Sequence, residues 1–290
     1  MTDVRIAAVM AAYNRRALTL ECLGSLEAQR PPGAELDVYV LDDASTDGTG
    51  DAIRAKFPDV TVLTGDGQQY WNRGMRHAFG AAIAQDYDYY LWMNDDTTLD
   101  DGAVQLLLAT ERELYAQGIR PAIVAGSTRH PETTALTYGG HRRTSSWRPL
   151  HWELVEPGDR PRRVDTMNGN TTLIPREVVR RVGNIDPGYI QQMGDFDYGL
   201  RAGEAGCTVW IAPGTIGSCA SHPDRRTDDK PFVQELRRKW SVKEQPFRPW
   251  AQFNRRWAGP LWPVSFAFPY VRHGVKLVVE RVAARVPDSR

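Results

Sequence analysis

Short, nearly continuous apolar runs alternate with segments in which apolar residues recur every three or four positions. The runs at residues 4–12, 36–41, 60–63 and 89–93 end in polar turn residues and predict buried β-strands. The segments between them predict amphipathic helices, marked by Leu18, Cys22, Leu23 and Leu26, by Ile53 and Phe57, and by Trp71, Met75, Ala78, Phe79 and Ile83. Strands and helices that alternate at these lengths favour right-handed βαβ units, and therefore an α/β fold with a mostly parallel central sheet and flanking helices.

The second half of the chain is less regular. Residues 133–154 predict irregular or antiparallel strands, and residues 165–174 predict one strand with a bulge or close backbone approach at Gly169. The remaining predicted elements are strands at 122–126 and 208–211 and helices at 176–182 and 195–205, which end at Gly183 and Gly206.

Carboxylates follow these strands where the apolar runs stop. The run at 89–93 ends in Asn94-Asp95-Asp96, the run at 36–41 ends in Asp42-Asp43, and Asp195 opens a predicted helix. The carboxyl ends of parallel strands share one edge of a sheet, where α/β folds bind their ligands. Two adjacent carboxylates repel each other, and a divalent cation would relieve that repulsion. Capping of the next helix is the alternative role of Asp95 or Asp96.

Charge divides the chain into two parts. The 290 residues have no net charge, but residues 1–229 hold 23 Lys/Arg against 32 Asp/Glu, and residues 230–290 hold 13 against 4. The basic segment is expected to meet something anionic, such as a membrane surface, a polyanion or the acidic first part itself. We therefore expect a domain at 1–229, with halves at about 1–126 and 127–229, and a C-terminal extension at 230–290.

Cysteine spacing and the N-terminus indicate the compartment. Cys22, Cys207 and Cys219 show no CxxC spacing and cannot all pair, which is typical of a reducing cytosol. The sequence lacks a signal-peptide pattern and any apolar window of spanning length. We expect a cytoplasmic protein that is soluble or peripheral at the inner face of the cell membrane.

Several enzyme classes lose support because their motifs are missing. The first strand is not followed by GxGxxG, and the chain contains neither GxxxxGK[ST] nor GxSxG. Dehydrogenases, P-loop enzymes and serine hydrolases are thereby disfavoured. No nucleic-acid partner is expected, because the part of the chain that would form the folded domain is acidic.

Four segments, in this order and at this spacing, resemble family 2 glycosyltransferases with the Rossmann-like GT-A fold. They are MAAYNR at 10–15, VLDDASTDGT at 40–49, LWMNDDTTL at 91–99 and GNIDPGYIQQMGDFDYGLRAGEAG at 183–206, and the resemblance covers about residues 4–225. It implies transfer of a sugar from a nucleoside diphosphate donor with inversion at the anomeric carbon.

The resemblance implies a nucleotide-sugar site and a metal. It matches Asp42 to the residue that hydrogen-bonds the nucleotide base, with the alternative that Asp42 only fixes its own turn. It matches Asp96 to the ligand of Mg²⁺ or Mn²⁺, and His222 to a histidine that reaches the metal or the diphosphate; simple exposure of His222 is the alternative. The other residues assigned to the nucleotide-sugar site are Ala12, Tyr13, Asn14, Arg15, Trp71, Arg73, Gly74, Asn94 and Asp95.

The resemblance also places the catalytic base and the sugar contacts. Asp195 matches the base, and Asp197 is expected to support it through a helix-surface pair with Arg201. Most relatives have Glu-Asp at this point, whereas this chain has Gly194-Asp195. The residues expected to contact the donor sugar or the acceptor are Asn168, Gly169, Asn170 and Gly194. Trp147 and Trp152 are expected either to stack on a sugar or to lie in a core.

The extension at 230–290 mixes aromatic and cationic residues. Pro260, Pro263 and Pro269 are expected to forbid one long helix across its middle. Such a composition is typical of an interfacial membrane anchor and would suit an acceptor carried on a polyprenyl lipid. Packing over the acidic domain or formation of a homo-oligomer is the alternative.

The resemblance therefore implies an inverting, metal-dependent glycosyltransferase that extends a cell-surface glycan or a lipid-linked saccharide. The expected donor is a UDP- or dTDP-sugar, with dTDP-rhamnose as the first choice because the chain resembles rhamnosyltransferases. The alternatives are a sugar-1-phosphate nucleotidyltransferase and a non-catalytic glycan-binding protein on the same fold. The nucleotidyltransferase would need a Gly-rich loop after the first strand, and MAAYNRR contains no glycine.

Overall fold

The computed structural model describes residues 4–29, 31–145, 147–220 and 246–283. Side chains at position 273 and beyond position 275 lie outside this description, as do His222 and the expected domain boundary at 229. The chain forms two compact units. The first comprises Met1–Arg142 and Trp152–Pro223, and the second comprises Arg143–His151 and Asp224–Arg290.

The first unit is a mixed α/β structure in which most of the predicted strands and helices are present. Its helices are α1 (Arg16–Glu27), α2 (Thr49–Lys56), α3 (Tyr70–Ile83), α4 (Ala103–Ala116), α5 (Arg176–Val182) and α6 (Gly194–Glu204). Its strands are β1 (Val4–Ala12), β2 (Ala34–Asp42), β3 (Thr61–Thr64), β4 (Tyr89–Trp92), β5 (Thr98–Leu99), β6 (Ala122–Ala125), β7 (Thr128–Arg129), β8 (Leu136–Tyr138), β9 (Gly140–Arg143), β10 (Trp152–Leu154), β11 (Arg162–Val164), β12 (Thr166–Met167), β13 (Thr172–Pro175), β14 (Thr208–Ile211) and β15 (Gly217–Ser218).

An eight-stranded sheet with the order β11-β14-β6-β13-β4-β1-β2-β3 forms the centre of this unit. Strands β3, β2, β1 and β4 run parallel, whereas β13 runs antiparallel to both of its neighbours, β4 and β6. In register, Ala12 lies opposite Asp42 and Val9 lies opposite Trp92. The loops that follow β1, β2 and β4 therefore leave the same edge, and the expectation of a mostly parallel central sheet with flanking helices is confirmed.

Both faces of the sheet are buried, which explains the nearly continuous apolar runs. Along β1, Ala7 and Val9 pack in a core cluster with Met75 and Phe79 of α3. The alternate residues, such as Ile6, pack in a second cluster on the other face, together with residues of α1 and α4.

The region from 133 to 175 forms short strands, as expected, but residues 165–174 are not one strand. They form β12 and β13, separated by a turn in which Thr171 has a φ of 57°. The Thr172 hydroxyl donates to the carbonyl oxygen of Asn168 across this turn (2.9 Å). Local side-chain hydrogen bonds of this kind compete with a regular ladder, so the continuous pattern was misleading.

The described part of the second unit contains α7 (Phe247–Trp257), a 3₁₀ turn (Gly259–Leu261) and α8 (Trp262–Ala283). The expected interruption occurs at Pro260, which lies in the 3₁₀ turn. Pro269 lies inside α8, so the expectation that it would also prevent a continuous helix is wrong. Among the residues that the structure describes, no helix combines the length and the hydropathy that crossing a bilayer requires.

Candidate active site

The loops after β1 and β2 are joined through Asn14. Its side-chain oxygen accepts the Thr46 N–H (2.8 Å), and its own N–H donates to the Ser45 hydroxyl (2.9 Å). Asn14 has a φ of 51°, a conformation that asparagine tolerates better than most residues. Ala12 is buried and Tyr13 is half-exposed, so this segment presents an aromatic ring at the sheet edge.

Asp42 and Asp43 are buried and face different loops. Asp42 Oδ1 accepts the Ser45 N–H (3.2 Å), which is the turn-fixing contact foreseen as the alternative to base binding. Asp43 accepts backbone N–H groups of Gly67 (2.8 Å), Gln69 (2.9 Å) and Tyr70 (3.2 Å) and thereby orders the loop before α3. Binding of a nucleotide base by Asp42 stays a prediction.

Of the three residues expected on the donor side of α3, Trp71 faces the other site residues. Its indole N–H donates to Asn94 Oδ1 (2.9 Å), and its backbone N–H donates to Gln191 Oε1 (3.0 Å). Arg73 is exposed. A Cβ at Gly74 would lie 2.8 Å from Ala11 Cβ, so Gly74 permits close packing of α3 on the sheet.

Arg15 bridges the two adjacent carboxylates after β4. Its Nη1 lies 3.2 Å from Asp95 Oδ1 and 2.7 Å from Asp96 Oδ2. Burial raises the pKa of Asp95 to about 7, an effect opposed by Arg15 and increased by Asp96. Asp95 Oδ2 is buried and has no hydrogen-bond partner among the described residues. This pair therefore has one oxygen in need of a cation or a donor.

Cys219 adds a contact that the sequence did not indicate. Its thiol donates to Asp96 Oδ1 (3.3 Å), and burial raises the pKa of Cys219 to about 12, so the thiol stays protonated. The spacing of the three cysteines does not predict this contact, because Cys219 and Asp96 are far apart in sequence and meet only in the tertiary fold.

The carboxylate pair suits a divalent cation that takes part of its coordination from a ligand. Carboxylate oxygens are the donors that Mg²⁺ and Mn²⁺ prefer, and the unpartnered oxygen of Asp95 is available. No cluster of three or more His, Cys, Asp or Glu side chains able to hold a metal occurs within the described residues, and His222 lies outside them.

The turn between β12 and β13 connects this pair with Asp195. Asn170 is buried, and its Oδ1 accepts from the Thr97 hydroxyl (2.6 Å) and from the Asn94 N–H (3.4 Å). Gly169 donates its N–H to Asp195 Oδ2 (3.0 Å). A Cβ at Gly169 would lie 2.3 Å from the Trp71 ring, so the tryptophan covers this turn closely.

Asp195 lies near the start of α6, where it is partly exposed. Burial raises the pKa of its carboxyl, although hydrogen bonds from the backbone N–H groups of Gly169 and Phe196 act in the opposite direction. A carboxylate with a raised pKa, held by a backbone N–H and open on one side, can accept a proton from a hydroxyl group.

The structure explains why position 194, directly before Asp195, is a glycine and not a glutamate. A Cβ at Gly194 would lie 2.0 Å from the side-chain oxygen of Asn72, which is fully buried. Asn72 thus fills the space that a larger residue at position 194 would need.

Asp197 does not lie on the surface as expected. It is fully buried, and it accepts from the Tyr189 hydroxyl (3.0 Å) and from Arg201 Nε (2.8 Å). Arg201 also donates to two backbone carbonyls, so the pair fixes the connection between α5 and α6. The expected pairing with Arg201 is present, but α6 turns it towards the protein interior.

An aromatic cluster beside Asp195 was not predicted as a unit. The Phe196 ring lies 4.7 Å from His141 and 5.8 Å from Trp152, measured between ring centroids. His141 hydrogen-bonds to Asn168 Oδ1 (2.8 Å), and burial lowers its pKa, which favours the neutral ring. The sequence indicated only Trp152 and Asn168; Trp147 is 89% exposed and belongs to the second unit.

Comparison with known proteins identifies the family of this chain. The model of glycosyl transferase family 2 matches residues 7–183. This range includes Asp42 and Asp95–Asp96, and it ends before Asp195. The N-acetylglucosaminyl-diphospho-decaprenol L-rhamnosyltransferase of Mycobacterium tuberculosis is 30% identical over 216 residues, which cover 65% of this chain and 65% of the relative. The chain thus matches less than two thirds of that relative's length.

Solved structures support the fold. The mannosyltransferase PcManGT from Pyrobaculum calidifontis, in complex with GDP-Man and Mn²⁺, has a TM-score of 0.56 at 18% identity, with 98% of this chain and 77% of that chain covered. GalNAc-T7 with UDP, GalNAc and Mn²⁺ has a TM-score of 0.61 at 14% identity, with 98% and 58% covered. These neighbours are GT-A glycosyltransferases, and this chain belongs to glycosyl transferase family 2.

Proposed function

We propose that this protein transfers a sugar from a UDP- or dTDP-sugar, with dTDP-rhamnose as the first donor to test, to a hydroxyl group of a saccharide. The acceptor is a cell-surface glycan or a saccharide carried on a polyprenyl diphosphate. The mycobacterial relative, whose name specifies a decaprenyl-linked acceptor and rhamnosyl transfer, supports both choices. The reaction takes place in the cytoplasm, at the inner face of the cell membrane.

The observation that supports this proposal is a chain of contacts that links Asp195 to the carboxylate pair Asp95–Asp96. Asp195 contacts Gly169, Gly169 lies under Trp71, and Trp71 holds Asn94, which directly precedes Asp95. An inverting displacement needs a base on one side of the sugar and a stabilised leaving group on the other side. Asp195 and the carboxylate pair can provide these two sides.

In this proposal Asp195 takes the proton from the acceptor hydroxyl as the general base. The Gly169 N–H holds one carboxylate oxygen in place. The cluster of His141, Trp152 and Phe196 offers apolar ring faces on which an acceptor sugar can pack. The Asp42 carboxylate accepts an imide N–H of uracil or thymine.

Asp96, with Asp95, would hold Mg²⁺ or Mn²⁺. When bound, the cation supplies neutralisation of the negative charge on the departing diphosphate. The role of the protein is to provide the two carboxylates in a buried setting, where their need for a counter-charge is large.

The test is release of nucleoside diphosphate from a panel of UDP-, dTDP- and GDP-sugars, with Mn²⁺, Mg²⁺ or EDTA, with and without a polyprenyl-linked saccharide. We expect release from one pyrimidine nucleotide sugar that needs metal and increases with acceptor. Asp195→Asn should lower turnover by about 10²–10⁴-fold and leave donor binding unchanged. The matched control is Glu204→Gln at the end of the same helix, where the side chain is exposed.

The outcomes separate the alternatives. Failure of every nucleotide sugar to bind in the presence of metal would overturn the transferase proposal. Release of pyrophosphate from a nucleoside triphosphate and a sugar phosphate would indicate the nucleotidyltransferase. Saccharide binding without any donor binding would indicate a glycan-binding protein.

A further inference from the structure

The second unit carries most of the large apolar side chains that are exposed in the described structure. Seven of the ten such residues belong to it: Trp147, Phe247, Leu261, Val264, Phe268, Val271 and Val275. Soluble surfaces normally scatter exposed apolar residues singly, so a concentration of this kind indicates an interaction surface.

Four of these residues form a stripe along α8. Val264, Phe268, Val271 and Val275 are spaced by four, three and four positions, and each is 57–66% exposed. At 3.6 residues per turn, they fall within a sector of about 60° around the helix axis. Exposed apolar side chains recur on this one side of the helix over more than two turns, so the stripe is a continuous surface and not a single exposed residue.

The opposite side of α8 packs on α7. The Phe266 ring lies 4.9 Å from the Phe247 ring, and the Phe266 carbonyl accepts the indole N–H of Trp250 (3.2 Å). The apolar contacts inside the helix pair are thus made by residues outside the stripe, which leaves the stripe for another partner.

The charge around the stripe has one sign. Residues 246–275 contain four arginines and neither Asp nor Glu. Arg248, Arg255 and Arg256 line an open groove of about 650 Å³ on α7. Arg272 is exposed on α8, next to Val271 of the stripe. A partner of this surface must therefore combine apolar material with negative charge.

We propose that the second unit docks on an anionic lipid bilayer, with the α8 stripe in the headgroup–acyl boundary and the arginines at the lipid phosphates. A helix that has an apolar stripe and basic neighbours, and that does not combine the length and the hydropathy needed to cross a bilayer, lies in the interface plane. Pairing of stripes between two copies of this chain would instead bring arginines together in a segment without acids. Trp147, exposed in the same unit, suits the interface as well.

This inference is independent of the donor and the acceptor, so its test uses vesicles alone. The full chain is mixed with vesicles of phosphatidylcholine, or of phosphatidylcholine with about one-third phosphatidylglycerol, and bound protein is measured by flotation at low and high salt. We expect binding to the anionic vesicles that weakens at high salt. Phe268→Glu/Val271→Glu should reduce it by at least about tenfold, and Arg272→Glu by about fivefold.

A matched control places the same charge elsewhere. Tyr115→Glu on α4, where the side chain is 51% exposed in the first unit, should leave vesicle binding unchanged. Circular dichroism and thermal melting identify any variant that fails to fold, and Arg272→Glu, which leaves the stripe intact, then provides the decisive comparison.

Two results would overturn the proposal. One is that the wild-type chain ignores anionic vesicles or binds neutral vesicles equally well. The other is a wild-type dimer in sedimentation that the stripe substitutions dissociate, without any change in vesicle binding. The second result would assign the stripe to contact between two copies.

Discussion

At the residue scale, the pKa of Asp195 gives the proposed reaction a pH dependence. Burial raises this pKa above the ordinary value of 3.8, and a general base acts only when it is ionised. We therefore expect kcat/KM for transfer to fall on acidification with a midpoint above pH 3.8. Acidification also protonates Asp95, so donor binding is measured over the same range, and the decline of kcat/KM in excess of the loss of donor binding is the part assigned to Asp195.

The same shift affects stability with a definite sign. Because the folded chain binds the Asp195 proton more tightly than the unfolded chain, the contribution of this group to the free energy of unfolding decreases as the pH rises from 3.8 through the folded-state pKa. Asp195→Asn should therefore lose less stability than the wild type over that interval, as measured by urea unfolding. If kcat/KM falls on acidification but the two proteins lose stability equally, the fall in kcat/KM is not caused by protonation of Asp195.

Arg15 balances the negative charge of Asp95 and Asp96, as a bound metal cation would. Its guanidinium contacts both Asp95 and Asp96, so a divalent cation must compete with it. Arg15 lowers the pKa of Asp95, so Mn²⁺ binding is compared as a function of pH; once Asp95 is ionised in both proteins, Arg15→Gln should bind Mn²⁺ about tenfold more tightly, as measured by calorimetry without donor. In EDTA the variant should be about 1–3 kcal/mol less stable, and Mn²⁺ should restore the loss.

The neighbouring arginine provides the control for this experiment. Arg16 is exposed, and Arg16→Gln removes the same charge without touching the two carboxylates. Equal effects of the two substitutions would mean that only the net charge matters. Weaker Mn²⁺ binding by Arg15→Gln would show that the arginine arranges the carboxylates and does not compete with the cation.

At the element scale, the start of α6 depends on close contact with α3. A Cβ at Gly194 would overlap the buried Asn72 side chain, whereas a Cβ at Gly203 on the same helix meets no atom within 4 Å. Gly194→Ala should cost about 1–3 kcal/mol by overpacking and reduce turnover by displacing Asp195. Gly203→Ala should be neutral or stabilise by up to about 1 kcal/mol, because alanine favours helix.

Urea unfolding and transfer rates measured on both variants decide this prediction. If Gly194→Ala matches the wild type in both measurements, the contact with Asn72 does not position Asp195. If it loses stability but retains its full rate per folded molecule, the contact is structural only.

The elements that the sequence predicted well are those whose signals are local. The strand at Val4–Ala12 is apolar except for Arg5 because both of its faces are buried, and α5 at Arg176–Val182 ends at a glycine with a φ of 76°. The single strand expected at 165–174 failed because the turn at 168–171 is held by side chains. That choice between a ladder and a turn is not visible in hydrophobic periodicity.

The site was partly predictable for a related reason. Asp42 ends β2, and Asn94 and Asp95 follow β4; both strands pair with β1 in parallel, so strand order places these residues at the same edge of the sheet. The double contact of Arg15, the thiol of Cys219 and the His141–Phe196 cluster depend on contacts between segments far apart in sequence. No local pattern encodes those contacts, and only the fold revealed them.

At the scale of the whole molecule, the first unit should be stabilised by its nucleotide. A ligand that binds the folded chain at about 100 times its Kd adds about 2.7 kcal/mol. For a unit of this size, that corresponds to an increase in melting temperature of about 5–10 °C. We expect this increase from UDP or dTDP with Mn²⁺, measured by calorimetry, and a smaller increase from UMP, which lacks the second phosphate group.

Comparing UDP with UMP separates the stabilisation that comes from the diphosphate and Mn²⁺ from the stabilisation that comes from the base and the ribose. Asp96→Ala should remove the part of the UDP effect that depends on Mn²⁺ and leave the small UMP effect in place, since the base and the ribose do not need the cation. The wild-type chain in EDTA should behave in the same way. If GDP or ADP stabilises the chain as much as UDP and dTDP, Asp42 does not select a pyrimidine. If Asp96→Ala retains the full response to UDP and Mn²⁺, the cation binds elsewhere in the chain.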